Sequence, residues 1–185
     1  MEIFTIVWIL WFLSEILLTR LYRSKMTNSK VWDKNSLTWI WFTIIISILF
    51  GVLSAVYLRT PIANTNWINY LGLVVILCGM IIRFIAIRTL GKFFTVNLSI
   101  QDNHRLIKKG LYKYIRHPSY TGSLLSFLGF GLSFNNWISL IVIIIPVLIS
   151  FLNRIRIEEK LLIEQVGAEY VIYTKSTKRL IPMVY

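Results

Sequence analysis

Acidic residues are scarce in this 185-residue chain: 8 Asp and Glu stand against 20 Lys and Arg, and charged residues of both signs make up only 15%. There is one cysteine, Cys78, so no intrachain disulfide framework exists. Two histidines and a lone cysteine inside an apolar run do not supply a zinc site, and no metal is expected. Gly-x-Gly-x-x-Gly is missing, which removes a Rossmann loop, and Gly129-Phe-Gly131 lacks its third glycine. No Gly-x-Ser-x-Gly elbow and no convincing Ser/His/Asp set occur, which argues against a serine hydrolase. What the chain has instead is apolar mass. Its hydrophobic content is 56%, above the 45–50% or so of soluble domains.

That mass is concentrated in runs. A membrane-spanning helix needs about 20 predominantly apolar residues. Residues 1–19, 38–58, 67–87 and 137–152 read that way, and Ser119–Phe134 is a shorter, uncharged fifth run. Only Asn135-Asn136 separates the last two, which predicts a tight helical hairpin. The expected fold is all-α: about five transmembrane helices followed by a C-terminal helix over 154–176, interrupted near Gly167. Ile157, Leu161 and Leu162 give that last helix an apolar side, for the membrane surface or the 88–118 segment. Pro146, inside the fifth span, predicts a kink. The chain reads as one domain over 1–185, a three-span scaffold (1–87) followed by a half rich in reactive side chains (88–185).

The net charge of +12 sorts by topology. Eighteen of the 20 basic residues fall in 20–37, in 88–118 and beyond 153. These are alternate connections and therefore share one side of the bilayer. The positive-inside rule makes that side cytoplasmic, which puts the N-terminus outside and the C-terminus inside. This distribution explains the basicity without nucleic acid, and the natural electrostatic partner is anionic membrane lipid. The first span starts Met1-Glu2, acidic where a signal peptide is basic, and is expected to be retained. Glu15 within it is costly in lipid and should face other helices; an ion pair with Arg20 or Arg83 would satisfy it.

Two clusters carry the chemistry. In Arg116-His117-Pro118-Ser119-Tyr120-Thr121-Gly122, Pro118 suits the first turn of a helix and His117 the cap. The N–H groups of Ser119 and Tyr120 then point out of the helix end, which attracts carboxylate or phosphate. Gly122 permits close approach to the backbone. Taken alone, these residues read more readily as an ordinary membrane-helix start with a surface cap. In the second cluster, Arg154 and Glu158 lie four apart and so share a helix face. They form either a solvated ion pair or a guanidinium and a carboxylate presented together at the membrane surface.

In order and spacing these motifs resemble the isoprenylcysteine carboxyl methyltransferase family. The matching stretches are His104-Arg-Leu-Ile107, Gly110-Leu-Tyr112, Arg116-His-Pro-Ser-Tyr-Thr-Gly122, Arg154-Ile-Arg-Ile-Glu158-Glu159, Gly167-Ala-Glu-Tyr170 and Arg179-Leu-Ile-Pro182. Arg83 and Leu90-Gly91-Lys-Phe93-Phe94 are similar to it upstream. The resemblance implies a membrane-embedded methyltransferase using S-adenosylmethionine. It implies that His104, Arg105, Leu106, Ile107, Tyr112, His117, Pro118, Ser119, Tyr120 and Glu158 hold the cofactor. Arg154 would bind the carboxylate of a lipophilic, prenylated substrate, with Arg154 and Glu158 as the catalytic pair. Ser99 and Gln101, upstream of His104, are further candidates for cofactor contact. Methylation of a lipid phenol or enol, or of a phospholipid amine, would need a base, for which His117 and Glu159 are candidates. An NADPH-dependent membrane reductase and a non-catalytic protein on the same scaffold complete the alternatives. The sequence does not indicate an oligomeric state.

Overall fold

Apolar segments in hydrocarbon must satisfy their backbone internally, and the runs of this chain do so as helices. The computed structural model describes residues 2–21, 36–94 and 106–182. Over these the elements are α1 (Glu2–Leu21), α2 (Ser36–Tyr57), α3 (Trp67–Leu90), α4 (Pro118–Leu132), α5 (Trp137–Val166) and α6 (Ala168–Ser176), with short 3-10 turns at Gly91–Phe93 and Gly110–Lys113. Helices α1, α2, α3 and α5 are long and apolar enough to cross a membrane. The fifth apolar run is α4, 15 residues long. At 1.5 Å per residue it spans about 22 Å, less than a hydrocarbon core.

The 30-residue α5 runs unbroken through Pro146, which leaves the Val142 carbonyl without its intrahelical N–H but does not end the helix. Its length of about 45 Å exceeds the hydrocarbon core and carries its second half beyond the apolar layer. Gly167, at φ 66°, ends α5 and starts α6, where the sequence predicts an interruption.

Small residues draw the helices together. A Cβ on Gly122 would lie 2.6 Å from the Arg83 backbone nitrogen, and one on Gly129 would lie 2.6 Å from the Gly72 carbonyl oxygen. The α3–α4 contact is therefore backbone against backbone, as small-residue interfaces in membranes allow. The close approach expected at Gly122 is that of α3. Ser139 donates to the Gly51 carbonyl at 2.8 Å, which ties α5 to α2. An aromatic core fills the middle: Trp11 stands edge-on to Phe127 with centroids 4.9 Å apart, and Phe127, Phe130, Ile143 and Phe151 are buried around it. Ile6, Leu13, Phe42, Leu49, Val74, Ile81 and Ile145 face outward, the reverse of a soluble protein and the pattern of a lipid-facing surface.

The hairpin between α4 and α5 is closed by Asn135 and Asn136. Asn135 adopts φ 48° and pairs its amide with both the carbonyl and the N–H of Ala63. Asn136 caps α5 by accepting from the Ser139 N–H at 3.0 Å. The α2–α3 connection and the α4–α5 turn therefore share one end of the bundle. The start of α4 and the second half of α5 lie at the other.

Candidate functional site

At that second end the helices part around a cavity. Its wall includes Leu106, Ile107, Tyr112, His117, Ser119, Tyr120, Arg154 and Glu158. Eight of the predicted site residues, taken from four stretches of sequence, thus face one space. Pro118 is buried as the first residue of α4 and shapes the helix start without lining the cavity. His104 and Arg105, like Ser99 and Gln101, lie outside the described residues.

The two clusters meet through Tyr120. Its hydroxyl donates to Glu158 Oε2 at 2.9 Å and accepts from Arg154 Nε at 2.9 Å. Arg154 also donates to the Ser36 hydroxyl at the start of α2 at 2.5 Å. The guanidinium is thus buried and held from two helices, while the Glu158 side chain keeps 30% exposure towards the cavity. His117 caps α4 between two carboxylates: Nδ1 is 3.9 Å from Glu158 and Nε2 is 3.4 Å from Glu159.

Glu159, next in the chain, has different surroundings. It is buried and accepts from Arg116 Nε at 2.8 Å and from Arg179 at 2.9 Å. Arg116 in turn donates to the carbonyls of Thr174 and Thr177. The segment after α6 lies against the start of α4: Arg116 N donates to Lys178 O at 2.7 Å, His117 N to Arg179 O at 3.1 Å, and Thr121 Oγ1 to Leu180 O at 2.8 Å. This strap fixes the helix end whose outward N–H groups the sequence singled out.

Sequence reasoning missed part of the wall. Trp11, Phe12, Glu15 and Thr19 of α1 and Leu37, Ile40, Trp41 and Ile44 of α2 line the same cavity, so the first spans contribute to the site as well as to the frame. Glu15 pairs with Arg83 at 2.9 Å, the second of the two partners the sequence offers it. Of the apolar side expected on the C-terminal helix, Leu161 and Leu162 reach the cavity, whereas Ile157 is exposed. Tyr170 and Tyr173 close the wall from α6. Burial pushes the phenols of Tyr112 and Tyr170 up, reinforced by nearby Glu158 for the first and Glu159 for the second, and pushes Tyr173 up to about 12. All three stay neutral near pH 7.

The wall is apolar where α2 contributes Leu37, Ile40, Trp41 and Ile44, and polar where α4 and α5 contribute Ser119, Tyr120, Arg154 and Glu158. It suits a ligand pair in which one member is greasy and the other zwitterionic. The model of the isoprenylcysteine carboxyl methyltransferase family matches residues 70–164, the stretch that contains most of α3, all of α4 and most of α5. The chain belongs to this family. It is 34% identical over 138 residues to protein-S-isoprenylcysteine O-methyltransferase A of Arabidopsis thaliana, covering 74% of this chain and 70% of that one. It is 36% identical over 122 residues to protein-S-isoprenylcysteine O-methyltransferase of Saccharomyces cerevisiae, covering 65% and 51%. Among solved structures, a eukaryotic intramembrane Ras methyltransferase of the same family superposes with a TM-score of 0.61 at 26% identity, over 80% of this chain and 51% of that chain. The chain thus spans about half the length of the yeast relative and of the solved structure. Over its described residues the chain is an all-helical, multi-pass membrane protein, and it shares the fold of that structure.

Proposed function

We propose that this protein is a membrane-embedded methyltransferase, a single domain that transfers a methyl group from S-adenosylmethionine to the carboxylate of a lipophilic, isoprenylcysteine-like acceptor. The observation that carries the reading is the bridge Arg154–Tyr120–Glu158 on the wall of a cavity that apolar side chains of α2 also line. The donor set fits S-adenosylmethionine. Glu158 offers a partly exposed carboxylate for an ammonium, and the Ser119 and Tyr120 N–H groups in the first turn of α4 suit a carboxylate. Leu106, Ile107 and Tyr112 supply apolar and aromatic surface for a purine. His117, held by the strap, orients that helix end.

When bound, S-adenosylmethionine supplies a methyl group already activated by a sulfonium, and a neutral thioether leaves with the electron pair of the broken C–S bond. The attacking carboxylate is ionised at neutral pH, so no side chain has to remove a proton. The work left to the protein is alignment and exclusion of water. Arg154 orients the acceptor carboxylate. Its own hydrogen bonds to Tyr120 and Ser36 restrain the guanidinium, so that it positions the nucleophile without collapsing onto Glu158. Phe12, Ile40, Trp41 and Ile44 receive the acceptor's hydrocarbon chain, which enters laterally from the bilayer, while the polar cofactor enters from the basic, cytoplasmic side.

Calorimetry of the purified protein in detergent with S-adenosylmethionine and, separately, with NADPH tests this reading. Heat with the first and none with the second is expected. Heat with NADPH alone would make the protein a reductase, and no heat with either would leave a non-catalytic scaffold.

A further inference from the structure

The Glu15–Arg83 pair lies within two membrane spans. Glu15 Oε2 is 2.9 Å from Arg83 Nη2, and the side chains keep only 12% and 15% exposure. Arg83 Nη1 donates to both the carbonyl and the hydroxyl of Ser119, at 3.1 Å each, in the first turn of α4. Arg83 Nε is buried with no hydrogen-bond partner among the described residues. Both side chains line the cavity that Tyr120, Arg154 and Glu158 also line. A buried ion pair is weak support for stability, because desolvation offsets most of its attraction. Ionisable groups inside a membrane more often mark function.

Among the described residues that line the cavity, each guanidinium has a carboxylate within its hydrogen-bond network. Arg154 is linked through Tyr120 to Glu158, Arg116 is paired with Glu159, and Arg83 with Glu15. A sulfonium methyl donor has a zwitterionic amino-acid end and one further positive charge. It leaves as a thioether without that charge. An uncompensated guanidinium on the wall would repel the donor and leave the product untouched.

We propose that Glu15 is a positioning residue which, by cancelling the charge of Arg83, lets the cavity hold the sulfonium donor and sets its preference for donor over thioether product. The inference rests on the donor reading given above. It assigns the first span, at a residue outside the family-matched segment, a part in cofactor selectivity. Arg83 meanwhile fixes the α4 end by its bonds to Ser119.

The test is the ratio of affinities for S-adenosylmethionine and S-adenosylhomocysteine, measured by calorimetry on the full chain in detergent. Lost packing would weaken both ligands alike, whereas lost charge compensation weakens only the sulfonium. Glu15→Gln is expected to lower the ratio about tenfold, the size of a unit-charge interaction across a partly screened cavity. Glu15→Asp should keep the wild-type ratio. Glu15→Gln/Arg83→Gln, which leaves no unmatched charge, should restore it even if both affinities fall. Where Glu15→Gln alone does not fold, Thr19→Lys supplies the uncompensated cation one turn along the same wall and is expected to lower the ratio likewise. An unchanged ratio in the variant carrying the extra cation, or a lowered ratio that the double variant does not restore, overturns the proposal. Wild-type protein that binds neither ligand overturns the donor reading itself, and is told apart by that result.

Discussion

Replacing Glu159 with alanine removes the carboxylate on which Arg116, Arg179 and His117 converge. The magnitude follows from burial. Glu159 and Arg116 are both 9% exposed, and breaking a buried pair of this kind costs about 3–5 kcal/mol, because it strands a desolvated charge. Two features lower the figure: Arg116 keeps the Thr174 and Thr177 carbonyls, and Arg179, at 32% exposure, contributes at most about 1 kcal/mol. A loss of about 3 kcal/mol is therefore expected, a large fraction of a typical stability of 5–15 kcal/mol. Glu158→Ala is the control one residue away. Its side chain is 30% exposed and loses the charge-assisted hydrogen bond from Tyr120, worth about 1.5 kcal/mol at that exposure. Unfolding of both variants in mixed micelles, followed by far-UV circular dichroism, measures the stabilities, and calorimetry with S-adenosylmethionine measures binding. Glu158→Ala should remain folded and lose donor affinity, whereas Glu159→Ala should lose stability first. Equal stability losses, or a Glu158→Ala variant less stable than Glu159→Ala, would refute the separation of roles.

Arg154→Ala should leave S-adenosylmethionine binding near wild type and lower turnover about 10- to 100-fold, the value of one charge-assisted contact, as read from initial rates at saturating donor. Gly122→Leu places side-chain atoms where the Arg83 backbone lies 2.6 Å from the Cβ position; it should destabilise the fold by about 1–3 kcal/mol in the same micelle titration. Deleting Thr177 onward removes the carbonyls that accept from Arg116 and His117, and should abolish donor binding in calorimetry while circular dichroism retains the helices.

Local motifs made the polar end of the site legible. Pro118 marks the start of α4, and the spacing of Arg154 and Glu158 puts both on one helix face, so these residues could be named without a structure. Cross-helix relations were harder. Nothing near Glu15 chooses between Arg20 and Arg83; the choice is made by α1 packing beside α3. The glycines that bring α3 and α4 together predict close approach without naming the partner. The strap after α6 follows no helical or strand period, and its parallel bridge from Ile115 to Lys178 depends on α5 and α6 returning the chain to the start of α4. The apolar wall from α1 and α2 was hidden for another reason: Phe12 and Trp41 lie in runs where every residue is apolar, so cavity-facing and lipid-facing positions look alike.

Methyl transfer to a carboxylate on a lipophilic acceptor is the proposed activity. Its most direct test is incubation of membranes containing the protein with methyl-labelled S-adenosylmethionine and a prenylated cysteine, followed by mild base. Label is expected in the prenylated cysteine that base releases as methanol, with initial incorporation about 10- to 100-fold lower for Arg154→Ala at matched protein levels. Label that survives base, or that resides on a lipid amine or phenol, would contradict it.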